Sequence, residues 1–377
     1  MEPSEPAPAD PVSTTAPYAE SPPTEALPPL VEASPAAPPN TIAAPFTFHG
    51  DAKEYFRIWI VNTLLSVVTL GLFSAWAKVR KRRYLRGSTD LLGHRFNYTA
   101  DPRRILVGNL IVVVVFLAFT LFGAVYPWVR LIAFLIGVAL LPWVVVRSLA
   151  FNAHNTMWRG LRFRFHLSVS AAILLYLFQA LLIPVTLGFY YPAWARARTR
   201  FRMSRHRFGT AYFRFEAKRS PFYYTYILAG GAVLLTLIGL GIVQNHLREQ
   251  NGGRMPTPAE LWPFAVLYMA VLYTSKQFIF AQLFNTVWNG TSVGEHRFRA
   301  TLSTRRWLGI QITNLLAIIV SCGLLYPWAA IRSVRYALSS LELEVHGSLD
   351  GISRVGSTAG SAVGETAAEF AGMDFGL

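Results

Sequence analysis

Cysteine is almost absent. Cys322 is the only one in 377 residues, which excludes an internal disulfide and a thiolate metal cluster. Charge is scarce as well. Only 15% of the residues are charged, against about a quarter in an ordinary soluble domain. Acids are the scarcer sign, 20 against 35 Lys and Arg, for a net charge of +15. Asp51, Glu54, Asp90, Asp101, Glu216 and Glu295 lie in or near connections, none at the middle of an apolar stretch. That argues against a proton pump built on a buried carboxylate relay. No Gly-rich loop ends in Lys-Ser/Thr and no His-Glu-x-x-His occurs, so a nucleotide-hydrolysing core and a zinc hydrolase are not expected. Gly290-Thr291-Ser292-Val293-Gly294 matches Gly-x-Ser-x-Gly but lacks the strand–turn–helix context of a nucleophile elbow. The expectation is a non-enzyme without cofactor or resident metal.

Long apolar runs are present instead. Residues 105–126 contain no charge and suffice to cross a hydrocarbon core of about 30 Å as a helix. Seven such segments can be drawn: 58–77, 105–126, 131–146, 167–191, 224–243, 261–284 and 307–329. Trp and Tyr crowd their ends, as in the aromatic belts of membrane proteins. The fold class expected is therefore an all-α polytopic membrane protein of about seven apolar helical segments. The alternating stretches Arg95–Tyr98, 161–165 and 212–215 suit short β elements at the membrane surface. Residues 1–45 are rich in Pro and Ala without Lys or Arg, and 347–377 are rich in Gly and Ala. Both read as disordered tails, the second with a weak helix at 361–370. The opening has neither a basic stretch nor an apolar core of a signal peptide.

Four connections carry most of the basic charge: 78–104, 147–166, 192–222 and 286–306. The positive-inside bias would place all four in the cytoplasm. Seven single crossings forbid that, because segment 167–191 would separate two basic flanks. Either the segment dips in and returns, broken near Pro184 and Gly188, or an inverted repeat weakens the charge bias. Arginines at segment ends are accounted for by anionic headgroups, so nucleic acid is not an expected partner. A protein partner is left open.

The chain repeats itself. Segments one, four and seven end on Trp76-Ala77-Lys78-Val79-Arg80, Trp194-Ala195-Arg196-Ala197-Arg198 and Trp328-Ala329-Ala330-Ile331-Arg332, each after a glycine. Trp76, Trp194 and Trp328 are expected as interface anchors, with Arg80, Arg198 and Arg332 snorkelling to phosphate. Asn155-Thr156-Met157-Trp158-Arg159-Gly160 parallels Asn285-Thr286-Val287-Trp288-Asn289-Gly290, and His-Arg-Phe recurs at His94, His206 and His296. Those histidines would need pseudo-symmetry to meet at a metal; the plainer reading is a structural turn. The division expected is repeat unit 46–166, repeat unit 167–306 and a partial third repeat 307–346.

Lys276 and Arg147 stand inside or beside apolar sequence at comparable places before the Asn-Thr-x-Trp motifs. A lipid-facing position is costly for either. With Asn152, Asn155 and Asn285 they form the candidate polar path or anion site.

The string Phe46-Thr47-Phe48-His49-Gly50-Asp51-Ala52-Lys53-Glu54-Tyr55-Phe56-Arg57-Ile58-Trp59, followed by Trp76-Ala77-Lys78-Val79-Arg80, Gly93-His94-Arg95-Phe96-Asn97-Tyr98 and Asp101-Pro102, resembles the bacterial YjgN-like family of inner-membrane proteins. The likeness runs from about Phe46 to Gly347. It implies a multi-pass protein of the bacterial cytoplasmic membrane and supplies no catalytic residues. The function expected is transport or lipid handling; the alternative is a non-transporting scaffold that binds anionic lipid or a partner protein.

Overall fold

A computed structural model describes residues 41–346. The disordered-tail expectations for 1–40 and 347–377, and the helix at 361–370, lie outside the described residues.

Five helix pairs are strung between short strands. The first leaves β1 (Thr41–Phe48) as α1 (Ala52–Val68) and returns as α2 (Ser74–Gly87) into β2 (Thr89–Leu91). The second leaves β3 (His94–Arg95) and β4 (Asn97–Tyr98) as α3 (Pro102–Val125) and returns as α4 (Pro127–His154) into β5 (Thr156–Trp158). The third leaves β6 (Leu161–Phe165) as α5 (Val169–Ile173), a π-helical turn (Leu174–Phe178) and α6 (Gln179–Val185), returning as α7 (Tyr191–Met203) into β7 (His206–Phe208). The fourth runs from β8 (Ala211–Phe215) through α8 (Ser220–Gln250) and α9 (Pro258–Asn289) to β9 (Thr291–Val293). The fifth runs from β10 (His296–Ala300) through α10 (Thr304–Val320) and α11 (Tyr326–Ser339) to β11 (Leu341–His346).

All eleven described strands belong to one antiparallel sheet, in the order β3-β2-β1-β11-β10-β9-β8-β7-β6-β5-β4. Its two edges, β3 and β4, are separated in sequence by Phe96 alone, and the N–H of Phe96 bonds to the Thr89 carbonyl at 3.1 Å. The sheet thus all but closes into a barrel, which leaves no long unpaired edge. Four two-residue turns join its hairpins. Leu92-Gly93 and Arg159-Gly160 have positive φ at both positions, as a type I′ turn requires; Gly209 and Gly294 have it at the first, as type II′ requires.

The expectation of an all-α protein with about seven helical segments is corrected on both counts. Short surface strands understate an eleven-stranded sheet. Among the described residues four helices, α3, α4, α8 and α9, are long and apolar enough to cross a membrane. Strands of two to eight residues are too short for their alternation to stand out. Strand β1 also begins at Thr41, inside the stretch expected to be disordered, because Thr41–Pro45 pair with His346–Glu342 of β11.

In an antiparallel meander alternate connections lie at opposite ends, so the four turns share one rim and the five helix pairs leave from the other. At the helix rim one backbone hydrogen bond closes the base of each pair: His49 to Ser88, Thr99 to Asn155, His166 to Arg205, Glu216 to Gly290 and Thr301 to Ser340, all at 2.8–2.9 Å. Segment 167–191 therefore rises from that rim and turns back at its break, and α7 returns the chain to the same rim at Arg205. The four basic connections gather there as well, which removes the conflict with charge bias.

Phenylalanine fills the barrel. Phe46, Phe96, Phe163, Phe213 and Phe298 form a closed cycle, each ring centroid 6.2–6.5 Å from the next. Between them stand buried Leu91, Trp158, Phe208, Val293 and Leu343, contributed by the intervening strands. Aromatic pairs at this spacing add to area burial.

Two kinds of helix pair alternate along the described chain, and the short fifth and first pairs are neighbours where β11 meets β1. The first, third and fifth are short and share one break. Leu70-Gly71, Leu187-Gly188 and Cys322-Gly323 take positive φ, near 50° and then near 90°. The glycine N–H of each reaches back to Ser66, Ile183 or Ile318 at 2.7–2.8 Å, which is the Schellman closure of a helix end. Thr69, Thr186 and Ser321 then accept from the N–H of Phe73, Tyr190 and Leu325 at 3.0 Å. The tips are apolar and open: Leu70 is 95% exposed and Leu187 89%.

Candidate functional site

The returning helices carry a belt of cations. Arg80, Arg147 and Arg332 each lie nine residues before the strand that follows (Thr89, Thr156, Leu341), and Arg198 lies eight before His206. At about 1.5 Å per residue all four stand roughly 12–14 Å above the barrel rim. Each follows a Trp by one helical turn: Trp76, Trp143, Trp194 and Trp328. The guanidinium lies over the indole at 5.6 Å for Arg147, 4.7 Å for Arg198 and 5.1 Å for Arg332. Stacking on an indole holds a guanidinium by its face and so fixes the plane in which its N–H groups point. Arg80 is exposed, and the Trp76 ring stacks on Phe73.

Behind three of these arginines sits an amide on the outgoing helix. Asn62, Gln179 and Asn314 follow the residues before their helices, Asp51, Ser168 and Ser303, at the same interval. Asn314 shows the complete arrangement. Its Nδ2 donates to the Ala329 carbonyl and to Ser333 Oγ at 3.2 and 3.0 Å. Its Oδ1 accepts from Arg332 Nη1 at 3.1 Å, and the same nitrogen donates to Thr313 Oγ1 at 2.7 Å. The Oδ1 of Asn62 and Oε1 of Gln179 are buried without a donor among the described residues. A buried acceptor left so is costly.

The five residues of the sequence-derived polar path fall in different settings. Arg147 is half-buried in the belt. Asn152 Oδ1 accepts from Arg82 Nη1 at 2.8 Å, tying α4 to α2. Asn155 closes the base of the second helix pair through its carbonyl, while its Nδ2 donates to the Phe151 carbonyl at 2.8 Å. Asn285 holds the backbone of Leu302 from both sides at 2.8 Å. Lys276 is exposed on α9. It lies fifteen residues before β9 (Thr291), against nine for Arg147 before β5 (Thr156). The helices of the two cations deliver the chain to strands four steps apart in the sheet.

The reason is that the paired motifs fold differently. Thr156–Trp158 is strand and Arg159-Gly160 is its turn, whereas Asn285–Asn289 is still helix. His-Arg-Phe divides the same way. His94 and His296 follow a turn, His206 precedes one. Among the described residues no group of three His, Cys, Asp or Glu side chains is placed to hold a metal. Gln179, Trp143 and Arg202 were not singled out from sequence as site residues. The Trp-x-x-x-Arg spacing was visible, and would have added Trp143–Arg147 to the belt.

The family model described as "Bacterial protein of unknown function (DUF898)" matches residues 43–370. The chain belongs to this family. It is 31% identical over 144 residues to the inner membrane protein YjgN of Escherichia coli strain K12, covering 38% of this chain and 36% of the relative. It is 30% identical over 126 residues to the inner membrane protein YjgN of Salmonella typhimurium, covering 33% of this chain and 32% of that one. The matched stretch thus spans about a third of the length of these curated relatives. No solved structure matches. DUF898 membership extends across the barrel and all five helix pairs, so the belt lies within the family's own region.

Proposed function

We propose that this multi-pass inner-membrane protein is a lipid-handling protein that gathers anionic phospholipid headgroups around its ring of helices. The carrying observation is the belt of four Trp-x-x-x-Arg pairs at one level above the barrel rim. Two long helix pairs anchor the protein across the bilayer, and three short ones dip their apolar tips into one leaflet. Counting from Gly71 or Gly323, the Trp lies five residues and the Arg nine residues down the returning helix, roughly 8 and 14 Å. Those depths suit an indole at the interface and a guanidinium at the phosphates. The cytoplasm receives the barrel, because the rim carries the basic connections. Phenylalanine in the barrel interior favours lipid binding at the ring over solute passage along the barrel axis.

The test is lipid retention. Purified protein, exchanged between micelles doped with phosphatidylglycerol or phosphatidylcholine, is weighed by native mass spectrometry. Wild type should retain phosphatidylglycerol, and Met at Arg80, Arg147, Arg198 and Arg332 together should reduce retention at least about tenfold, each lost charge-assisted contact being worth a factor of several. Equal retention of both lipids by wild type would end the proposal. A labelled-lipid scrambling assay in vesicles then separates movement from mere binding.

The scaffold reading has its own support in the outer barrel face. Arg164 stands directly opposite Arg207, and Arg214 and Arg297 flank Ser292. Like charges directly opposed across strands are unfavourable unless an anionic partner offsets them. Co-purification of one acidic protein, lost on Arg207→Glu and Arg214→Glu, would favour that reading.

A further inference from the structure

The third helix pair differs from its two short relatives at one position. In the first, the Tyr84 hydroxyl engages the backbone of Asp51. In the fifth, Tyr336 does the same to Ser303. Both tyrosines lie eight residues after the belt Trp, and the residue at that place in α7 is Arg202. It stands one helical turn below the belt residue Arg198, on the same face of α7. The Nε atoms of both arginines are shut off from solvent.

Two tyrosines complete the surroundings. Tyr176, from the π-helical turn, packs edge-on against Trp194 at 6.3 Å and Phe201 at 6.1 Å. Tyr226, from α8, packs edge-on against Tyr191 at 5.0 Å. Both lie within electrostatic reach of both guanidiniums. Burial, then the neighbouring Arg198, pushes the Arg202 guanidinium down to about 10. The π-turn has a use here: Trp194 Nε1 donates to the Leu175 carbonyl at 2.9 Å, fixing the indole on which Arg198 stacks. Short π-segments inside α-helices often mark functional positions.

We propose that Arg198 and Arg202, with the hydroxyls of Tyr176 and Tyr226, form a site for a dianionic phosphomonoester, presented as a lipid headgroup. The site rests on the lipid-handling reading and narrows it to one helix pair and one headgroup charge. Two guanidiniums one helical turn apart in a part-buried setting repel each other, and a doubly charged phosphate offsets that repulsion where a phosphodiester offsets half of it. The first and fifth pairs, with Tyr84 and Tyr336, carry one belt arginine each and suit a phosphodiester. Free phosphate shares the chemistry, so the source of the dianion needs its own arm of the test.

The experiment uses the full chain in detergent, exchanged with equal amounts of phosphatidic acid and phosphatidylglycerol and read by native mass spectrometry. Wild type should retain phosphatidic acid over phosphatidylglycerol by at least about fivefold, the scale of one further charge-assisted hydrogen bond. Arg202→Tyr, which installs the residue of the sister pairs, should bring the ratio near one while leaving phosphatidylglycerol retention intact. Arg202→Gln is the second variant, should the tyrosine not fold. Arg332→Met should lower phosphatidylglycerol retention without reducing the ratio. A ratio unchanged in the folded Arg202 variants, or near one in wild type with phosphatidylglycerol still held, overturns this site and leaves the lipid-handling reading standing. Loss of selectivity for both anionic lipids over phosphatidylcholine overturns both. Displacement of phosphatidic acid by millimolar inorganic phosphate, accompanied by a thermal shift with inorganic phosphate alone, would assign the site to a soluble anion and overturn the lipid source.

Discussion

The hydroxyl of Tyr84 accepts from the backbone N–H of Asp51 at 2.8 Å and donates to the carbonyl of the same residue at 2.9 Å. Tyr336 repeats the contact on Ser303 at 3.1 and 3.3 Å, across the same separation of 33 residues. One phenol at the bottom of each returning helix therefore fixes where the outgoing helix begins. Tyr84→Phe and Tyr336→Phe should each destabilise by about 1–2 kcal/mol, since the Asp51 and Ser303 backbone groups lose a partner. Thermal melts in detergent measure this, and a loss in the double variant near the sum of the singles would show that the two pairs act independently.

Glycines at two kinds of position should respond differently to alanine. Gly323 has φ +92° with open space around a would-be Cβ, so Gly323→Ala should cost only the backbone term, about 1–2 kcal/mol. A Cβ at Gly290 would lie 2.8 Å from the Ala217 backbone, beside the bond from Glu216 N–H to the Gly290 carbonyl. Gly290→Ala should be the worse of the two by a wide margin, measured as melting temperature and yield of monodisperse protein.

Stability should fall on mild acidification. His296 is buried and its Nδ1 accepts from the His346 N–H at 3.1 Å. His206 is held by the Arg202 carbonyl, to which its Nδ1 donates at 2.6 Å. Burial lowers both imidazoles below their ordinary value, with His346 adding to the effect at His296, while the hydrogen bond to the Arg202 carbonyl partly opposes it at His206. The unfolded chain takes up protons near about pH 6.5 while the folded chain does not. Their contribution is complete above that pH and is lost as pH falls toward the lowered folded values. Melting temperature should drop between pH 7.5 and 5.5, and His296→Asn should flatten part of the drop. A pH-independent melt in wild type would contradict the assignment.

Accessibility should sort by rim. Single cysteines at Gly93, Arg159, Gly209 and Gly294, in a Cys322→Ser background, should all label from the cytoplasmic side. Cysteines at Tyr126 and Gly252, at the far ends of the two long pairs, should label from the periplasmic side. Any barrel turn labelling from the periplasm would break the one-rim arrangement.

Much of the membrane part was legible. Uninterrupted apolar sequence such as that of α3, with Trp and Arg at segment ends, reports a bilayer through composition alone. The same holds for the breaks: Gly71, Gly188 and Gly323 stood at matching places because only that residue takes φ near 90° without strain. The two Asn-Thr-x-Trp-x-Gly stretches fold differently, since a helix end and a strand can share four residues of six when the tertiary partners differ.

What the sequence by itself determined is local: that apolar helices enter a membrane, where glycine breaks fall, and that cations follow the Trp at segment ends. These follow from hydropathy, turn chemistry and spacing along one helix. What the tertiary structure decided is the barrel. β3 and β4 have two residues each, too few for any intrinsic preference to hold them extended. They are strands because β2 and β5 supply hydrogen bonds on either side of Phe96. Likewise β1 is completed by β11, from the opposite end of the described chain. The five phenylalanines come from strands spread over Phe46 to Phe298, and only closure of the sheet brings their rings within 6.5 Å of one another. Contacts of that sequence separation leave no periodic trace in any single window, so folding alone could reveal them.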